Sequence, residues 1–545
     1  MSIPTLTPAA GPVPGTTEKR HESFPAFPRR KNLFLVVAAI CVIVCIAGVL
    51  SIRFWPFTEP AVVEDLAEAS DSTVTVRSSR RTYFPVPGCI LEGVEFRHGA
   101  NAWTLATIDK LTIEGSYLGI LTRQVPRVRV DGGRVSIQPF GSNVTFKTQH
   151  SNIVIDQVVV NGVVVEFTSN DPQEDSLRFD VHDAILRDVR WGSPIGYELK
   201  VHNPKPPGEI TTRGRFGGWT TGRPGETPIS GEYTFERADL SVYGGIAGML
   251  ASKGKYAGLL QHIDIAGSTD VPDFVVKSGG HKVNLATQFD AFVDAIHGDT
   301  FLKRVEAHIG RTKIVAQGSI AGAKDRDGKV ALLDLSVQGG RIEDILGLFV
   351  ESPRSPMSGV LALRTKVEIP SGNEPFLKKV KLEGSFGIDD GNFSKSETQQ
   401  NVNELSAGAR GEKVEDAETV LTDLKGRATI EGGIARFSDL SFGVPGAAAH
   451  MYGNYSLLTN KIDLHGRMRV DTKISKTTTG VKSLLLKAID PFFKKKKIGE
   501  IVPVHITGTY DHPQYGLDLA EPNSPGNSGK LGRTTHPRDQ QSERH

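Results

Sequence analysis

The chain has 545 residues, and its 64 Lys and Arg nearly balance its 62 Asp and Glu, a formal net charge of +2. Such a balance provides no field for a polyanion, so no nucleic-acid partner is expected. With 58 Gly, 3 Cys, 5 Met and 23% charged residues, the composition fits a turn-rich globular chain and excludes a disulfide-stapled scaffold.

Residues 1–31 are rich in Pro, Gly and Thr, carry no apolar period and are expected to form a disordered cytoplasmic tail. Residues 32–52, NLFLVVAAICVIVCIAGVLSI, contain no charge. At about 1.5 Å per residue they give roughly 32 Å of helix against a hydrocarbon core of about 30 Å. The apolar core is longer than that of a cleaved signal peptide, so residues 32–53 are assigned to an uncleaved transmembrane anchor. Lys19, Arg20, Arg29, Arg30 and Lys31 precede it and only Arg53 follows closely, with Trp55 and Phe57 at the expected interface. The charge bias places the amino terminus in the cytoplasm and exports the body. Cys41 and Cys45 lie in this segment, leaving Cys89 alone in the body as a small core residue.

After a short amphipathic helix in AVVEDLAEAS, nearly every segment alternates with period two, the grammar of half-buried strands. In VLALRTKVEI, Leu361, Leu363, Val367 and Ile369 oppose Arg364, Lys366 and Glu368. In KIDLHGRMRV, Ile462, Leu464, Met468 and Val470 oppose Asp463, His465, Arg467 and Arg469. In IVPVHITGTY, Val502, Val504 and Ile506 oppose Pro503, His505 and Thr507. VRVDGGRVSI, VVVNGVVVEF, LSVQGGRIED and ATIEGGIARF each place a polar residue before Gly, which supplies the positive φ of tight hairpins. The body is therefore expected to be a meander of antiparallel hairpins, although a closed sandwich or barrel has the same periodicity. Helices are expected at residues 341–350 and 481–493. The second runs into Lys494, Lys495, Lys496 and Lys497, candidates for contact with an anionic membrane or a partner, or simply a solvated loop. Residues 521–545 repeat the character of a disordered tail.

The local signatures of common hydrolases, zinc enzymes and nucleotide binders are missing, so no catalytic residue, metal or cofactor is expected. The 15 His are scattered, and His281, His297 and His308 lack ligand spacing. KDRDGK, with Asp325, Asp327 and Gly328, lacks the later ligands of a calcium loop and reads as a hairpin turn.

The order of several glycine-punctuated segments resembles AsmA-like proteins of the bacterial envelope. YFPVPGCILEGVEF with LATIDKLTIEGSYLGILTRQVPRVRVDGGRVSI is similar to their amino-terminal strands. LSVYGGIAGMLASKGKYAGLLQHIDIAGSTDVPDF is similar to a central block, and VQGGRIEDILGLF, MSGVLALRTKVEIPSG, ATIEGGIARFSDLSFGVPGAAAHMYGNYSLLTNKIDLHGRMRV and VPVHITGTYDHPQYGLDL to the carboxy-terminal region. The resemblance implies a mainly β body: an elongated antiparallel sheet curled into an open apolar groove, with a few short helices. Residues 61–350 would form its amino-terminal and central part and 351–520 its carboxy-terminal part; with about 25 to 30 strands spaced near 4.8 Å, the groove would run roughly 120 to 145 Å. It also implies a bacterial inner-membrane anchor, a periplasmic body, phospholipid as cargo, and the outer membrane or an envelope protein at the distal end. The apolar residues named above in the three strands would line the groove, with Lys494 to Lys497 near its far end. The competing expectation is a non-catalytic β-sandwich scaffold or tether for outer-membrane assembly, and a hydrolase with a dispersed site is a third.

Overall fold

The computed structural model describes Val42 and residues 56–98, 103–137, 152–168, 176–218, 223–277, 280–323, 326–350, 354–372, 374–394, 398–400, 402–403, 406–407, 421–470, 501–510 and 512–518. The expected anchor at 32–53 falls outside these residues apart from Val42, as do residues 481–493, Lys494 to Lys497 and both tails. Among the described residues no helix is long and apolar enough to cross a membrane. The chain divides into two compact units, Met1–Thr58 and Glu59–His545.

The second unit begins with helix α1 (Glu59–Ser70), where AVVEDLAEAS predicts one. It then contributes 24 strands to one sheet. The first eight are β1 (Thr73–Thr82), β2 (Gly88–His98), β3 (Trp103–Glu114), β4 (Gln124–Ile137), β5 (Val154–Phe167), β6 (Leu177–Val189), β7 (Ile195–Pro204) and β8 (Pro207–Phe216). The next eight are β9 (Pro228–Asp239), β10 (Ile246–Ala247), β11 (Met249–Leu259), β12 (His262–Val276), β13 (Val283–Asp294), β14 (Asp299–Ile309), β15 (Thr312–Ala323) and β16 (Arg326–Arg341). The last eight are β17 (Met357–Ile369), β18 (Lys381–Phe393), β19 (Thr422–Glu431), β20 (Ile434–Val444), β21 (Ala447–Ser456), β22 (Lys461–Val470), β23 (Ile501–Thr509) and β24 (Pro513–Leu517). Helices α2 (Gly119–Thr122), α3 (Ile342–Leu346) and α4 (Phe376–Lys379) punctuate the ladder.

Apart from β10, which adds two residues beside β12, each strand pairs with the strands next to it in sequence, and β9 pairs directly with β11. β1 pairs only with β2 and β24 only with β23, so the sheet is open. Its edges carry protective devices: Arg77, Arg80 and Arg81 on β1, and Pro513 in the five-residue β24.

The expected meander fails at one join, because β4 and β5 run parallel. VRVDGGRVSI and VVVNGVVVEF are the middles of these two strands and not hairpin turns. They align in register, Val128 beside Val158, Val130 beside Val160 and Asp131 beside Asn161, whose amide donates to Asp131 Oδ1 at 2.7 Å. Gly132 and Gly162 have φ of +72° and +63° within a ladder that keeps its register on both sides of them. The glycines of LSVQGGRIED make a bulge near the end of β16, between Val337 and Gly340. Only ATIEGGIARF closes a tight hairpin, with Glu431 paired to Ile434. KDRDGK falls at the β15–β16 hairpin as expected, Ala323 pairing with Arg326.

Three parts of the sheet are covered. On β1–β3, Val74, Leu91, Val94 and Leu111 are buried, as is Val62 of α1. Cys89 lies in this core at 2% exposure, where burial pushes its thiol up to about 11. Helix α3 closes a second cluster of Val337, Ile342, Met357, Leu361 and Ile388. The buried Thr312 hydroxyl ties α3 to the sheet by donating to Asp344 Oδ2 at 2.8 Å and accepting from the Arg341 amide at 2.7 Å. The third and largest cluster spans Leu421, Leu440, Met451, Met468, Val502 and Val504, with Val402 of the β18–β19 connection packed against it.

Candidate functional site

Residues directly opposite one another on paired strands share a face, so the registers trace rows across the whole sheet. One row starts at Leu91 and continues through Leu111, Val130, Val160, Ala184 and Leu199 to Thr212 and Tyr233. It proceeds through Gly254, Gly267, Phe289, Val305, Ala316 and Leu335. It ends through Thr365, Gly384, Ala428, Phe437, Gly453, Leu464 and Ile506 at Tyr515. No member is charged. The two flanking rows on the same face, one through Val163, Ile210, Ile314, Leu363 and Val504, the other through Val158, Tyr256, Leu333, Val367 and Ile462, are also uncharged from β2 to β24.

The opposite face carries the charges. Glu198, Arg213, Glu232 and Lys255 lie in one cross-strand row with alternating sign. Arg187 and Glu198 pair at 3.2 Å, and Lys313 and Glu306 at 2.7 Å. Lys313, then Arg304, hold the Glu306 carboxyl down at about 2. Two concavities of about 900 and 750 Å³ are lined in part by these charged residues, one by Arg213, Lys255 and Arg304, the other by Asp334, Arg364 and Lys366.

The middle of the uncharged face is smoothed by aromatic rings lying over glycines. A Cβ on Gly214 would meet Tyr197 Oη at 2.8 Å, and one on Gly231 would meet the Tyr256 ring at 2.8 Å. Gly254 and Gly267 stand in the same relation to Tyr233 and Phe289, at 2.9 and 3.0 Å. The ring hydroxyls are satisfied locally: Tyr197 and Tyr256 bond to each other, Thr212 Oγ1 lies 2.6 Å from Tyr256 Oη, and Tyr233 Oη lies 3.0 Å from Ser252 Oγ. Burial raises the Tyr197 and Tyr233 hydroxyls above the usual phenol range. The single-strand alternation did not reveal these rings, because the glycines that accommodate them belong to neighbouring strands.

The described apolar residues singled out from sequence lie on this face, in two environments. Leu361, Val367, Met468, Val502 and Val504 are buried. Leu363, Ile369, Ile462, Leu464 and Ile506 are half-buried, and the side chain of Val470 lies outside the described residues. Thr365, in the middle of VLALRTKVEI, is also buried on this face, its hydroxyl donating to the Glu383 carbonyl at 3.0 Å.

One segment crosses the face. β17 ends at Ile369, beside Ala331 at the same strand ends as Ile320 and Thr300. The loop that follows carries Phe376 of α4 to the opposite strand ends, where it packs with the cluster of Val276, Ile309 and Leu348. There it covers Gly245 so closely that a Cβ on that glycine would lie 2.6 Å from Phe376 Cβ. The described residues of this connection, 370–372 and 374–380, thus form a strap.

The fold and face together define an open, one-sided β-sheet protein. No protein-family model matches the chain, and neither the curated proteins nor the solved structures include a match.

Proposed function

We propose that the chain carries phospholipid, its acyl chains lying along the uncharged face of the sheet, as part of the bacterial envelope. The single observation that supports this most is the set of three adjacent uncharged rows running from β2 to β24 on a sheet whose other face is charged. Two acyl chains of about 30 methylenes would cost on the order of 24 kcal/mol to expose to water at about 0.8 kcal/mol each. A half-buried row of Val, Ile, Leu and aromatic rings offsets much of that cost, while a head group stays in water. Rows without a charge also contain no ionic trap along their length. The 23 ladder strands, at about 4.8 Å per step, give a path of roughly 105 Å. This reading keeps the inner-membrane anchor at residues 32–53, the periplasmic body and the distal partner as parts of the proposal, together with the AsmA-like resemblance.

The scaffold reading has one observation in its favour. The largest buried cluster, around Leu440, Met451, Met468 and Val502, fills the carboxy-terminal strands with protein side chains. A site-specific photocrosslinker in the full chain, expressed in a diderm bacterium, separates the two. Placed at Leu363 or Ile462 it should yield phospholipid adducts by mass spectrometry, and at Arg364 or Asp463 on the other face it should yield none. Absence of lipid adducts at Leu363, Ile462 and Leu199 would overturn the carrier in favour of the scaffold.

A further inference from the structure

On the charged face, three metal-ligating side chains converge, His182 from within β6 and His202 and Glu209 from beside the β7–β8 hairpin. His202 sits directly opposite Glu209 across the β7–β8 hairpin. The register between β6 and β7 shifts between Val181 and Asp183, which places His182 in an irregular stretch beside them. One donor atom from each of His182, His202 and Glu209 lies within 4.8 Å of the other two. His202 Nδ1 is 2.8 Å from Glu209 Oε1, and His182 Nε2 is 3.5 Å from Glu209 Oε2.

Glu209 Oε2 is buried from solvent and has no hydrogen-bond partner, the one such side-chain atom among the described residues. An ordinary surface imidazole–carboxylate pair leaves its second oxygen to water. Here that oxygen is shielded and points toward a second imidazole at a distance too long for a good hydrogen bond.

We propose that His182, His202 and Glu209 form a binding site for a divalent transition cation, Zn²⁺ being the best fit. Two imidazoles and one carboxylate are a zinc donor set, and bonds of about 2.0 to 2.1 Å put tetrahedral ligands about 3.3 to 3.4 Å apart. His202 approaches Oε1 and His182 approaches Oε2, with the three donor atoms within 4.8 Å of one another, so a cation would draw the three side chains inward to that spacing. It would give Glu209 Oε2 its missing partner and clip three consecutive strands together, with a fourth position open to water or to another molecule. The sequence hides the site because His182, His202 and Glu209 follow no local ligand spacing, and only the strand registers bring them together.

The test uses the full chain, stripped of metal and titrated with Co²⁺ as a spectroscopic stand-in, then with Zn²⁺ in competition. The parent should take up cobalt with visible d–d bands displaced by zinc, and zinc should raise its melting temperature. His182→Ala, His202→Ala and Glu209→Gln should each weaken binding at least about tenfold and abolish the zinc-induced shift. His308→Ala, an exposed histidine on β14, should behave as the parent. Parent-like affinity in the three variants would move any metal elsewhere, and absence of both d–d bands and a zinc-induced shift in the parent would overturn the site, whether or not any variant folds.

Discussion

Leu361 and Leu363 share one strand and one face, but Leu361 is 2% exposed beneath the α3 cluster, whereas Leu363 packs at its margin and is half-buried. A carboxylate at 361 must be buried without a partner, so Leu361→Glu should destabilise the fold by several kcal/mol and lower melting temperature and abundance. At 363 or 462 the carboxylate can reach water, so Leu363→Glu and Ile462→Glu should melt within a few degrees of the parent. Each should nonetheless reduce lipid adducts at crosslinkers elsewhere on the face, at Leu333 on the strand beside Leu363 or at Leu199 on distant β7, because an acyl chain passing the charge must desolvate it. Equal loss of folding in all three variants would show a closed core throughout. A second residue-scale test concerns pH. His465 Nδ1 lies 2.7 Å from Asp518 Oδ2 and Nε2 lies 3.0 Å from Asp463 Oδ1, and these partners, Asp518 foremost, raise its pKa above 6.5. A raised folded-state pKa gives stability that is fully present below the unfolded value and lost as pH rises through the folded one. Amide protection of β24, corrected for intrinsic exchange, should therefore be greater at pH 6 than at pH 8, and Asp518→Asn should remove the difference.

At the scale of elements, the strap depends on Gly245. Its φ of +98° and its contact with Phe376 leave no room for a side chain, so Gly245→Ala should lift the strap. Limited proteolysis should then cut within residues 370–380 sooner than in the parent, and unchanged cleavage would mean that the strap is held by its other contacts, such as Leu377. None of this is legible in the sequence, where Phe376 lies in a short polar connection. The strands were legible because alternation needs only the chain itself: KIDLHGRMRV, VLALRTKVEI and IVPVHITGTY form β22, most of β17 and β23. Their partners were not. A glycine with positive φ serves a hairpin at Gly432 and Gly433 but sits inside a continuous ladder at Gly132 and Gly162, and the choice depends on which strand lies alongside. The same limit hid the tyrosines lying on glycines and the His182, His202 and Glu209 group. Properties of one strand could be read, and properties shared by two or three could not.

Across the whole molecule, the ladder makes each strand depend chiefly on its immediate neighbours, as in repeat proteins. Leu91→Ala on β2 and Met451→Ala on β21 remove fully or nearly fully buried side chains from separate clusters. Each should cost about 2 to 5 kcal/mol locally. Hydrogen exchange should show the loss within two or three strands of each site and parent-like protection at the other end, with additive effects in the double variant. A single concerted loss of protection everywhere would contradict a nearest-neighbour sheet. The strand order also bears on synthesis. A ribosome delivers the chain amino terminus first, and almost every new strand finds its partner already made and waiting beside it, so long searches between distant segments are avoided. The parallel join is the exception: β5 begins at Val154 beside Gln124, at the opposite end of β4 from Ile137, so it cannot dock as the second arm of a hairpin. Assembly should pause there, with β1–β4 formed first and the remaining strands added after the join.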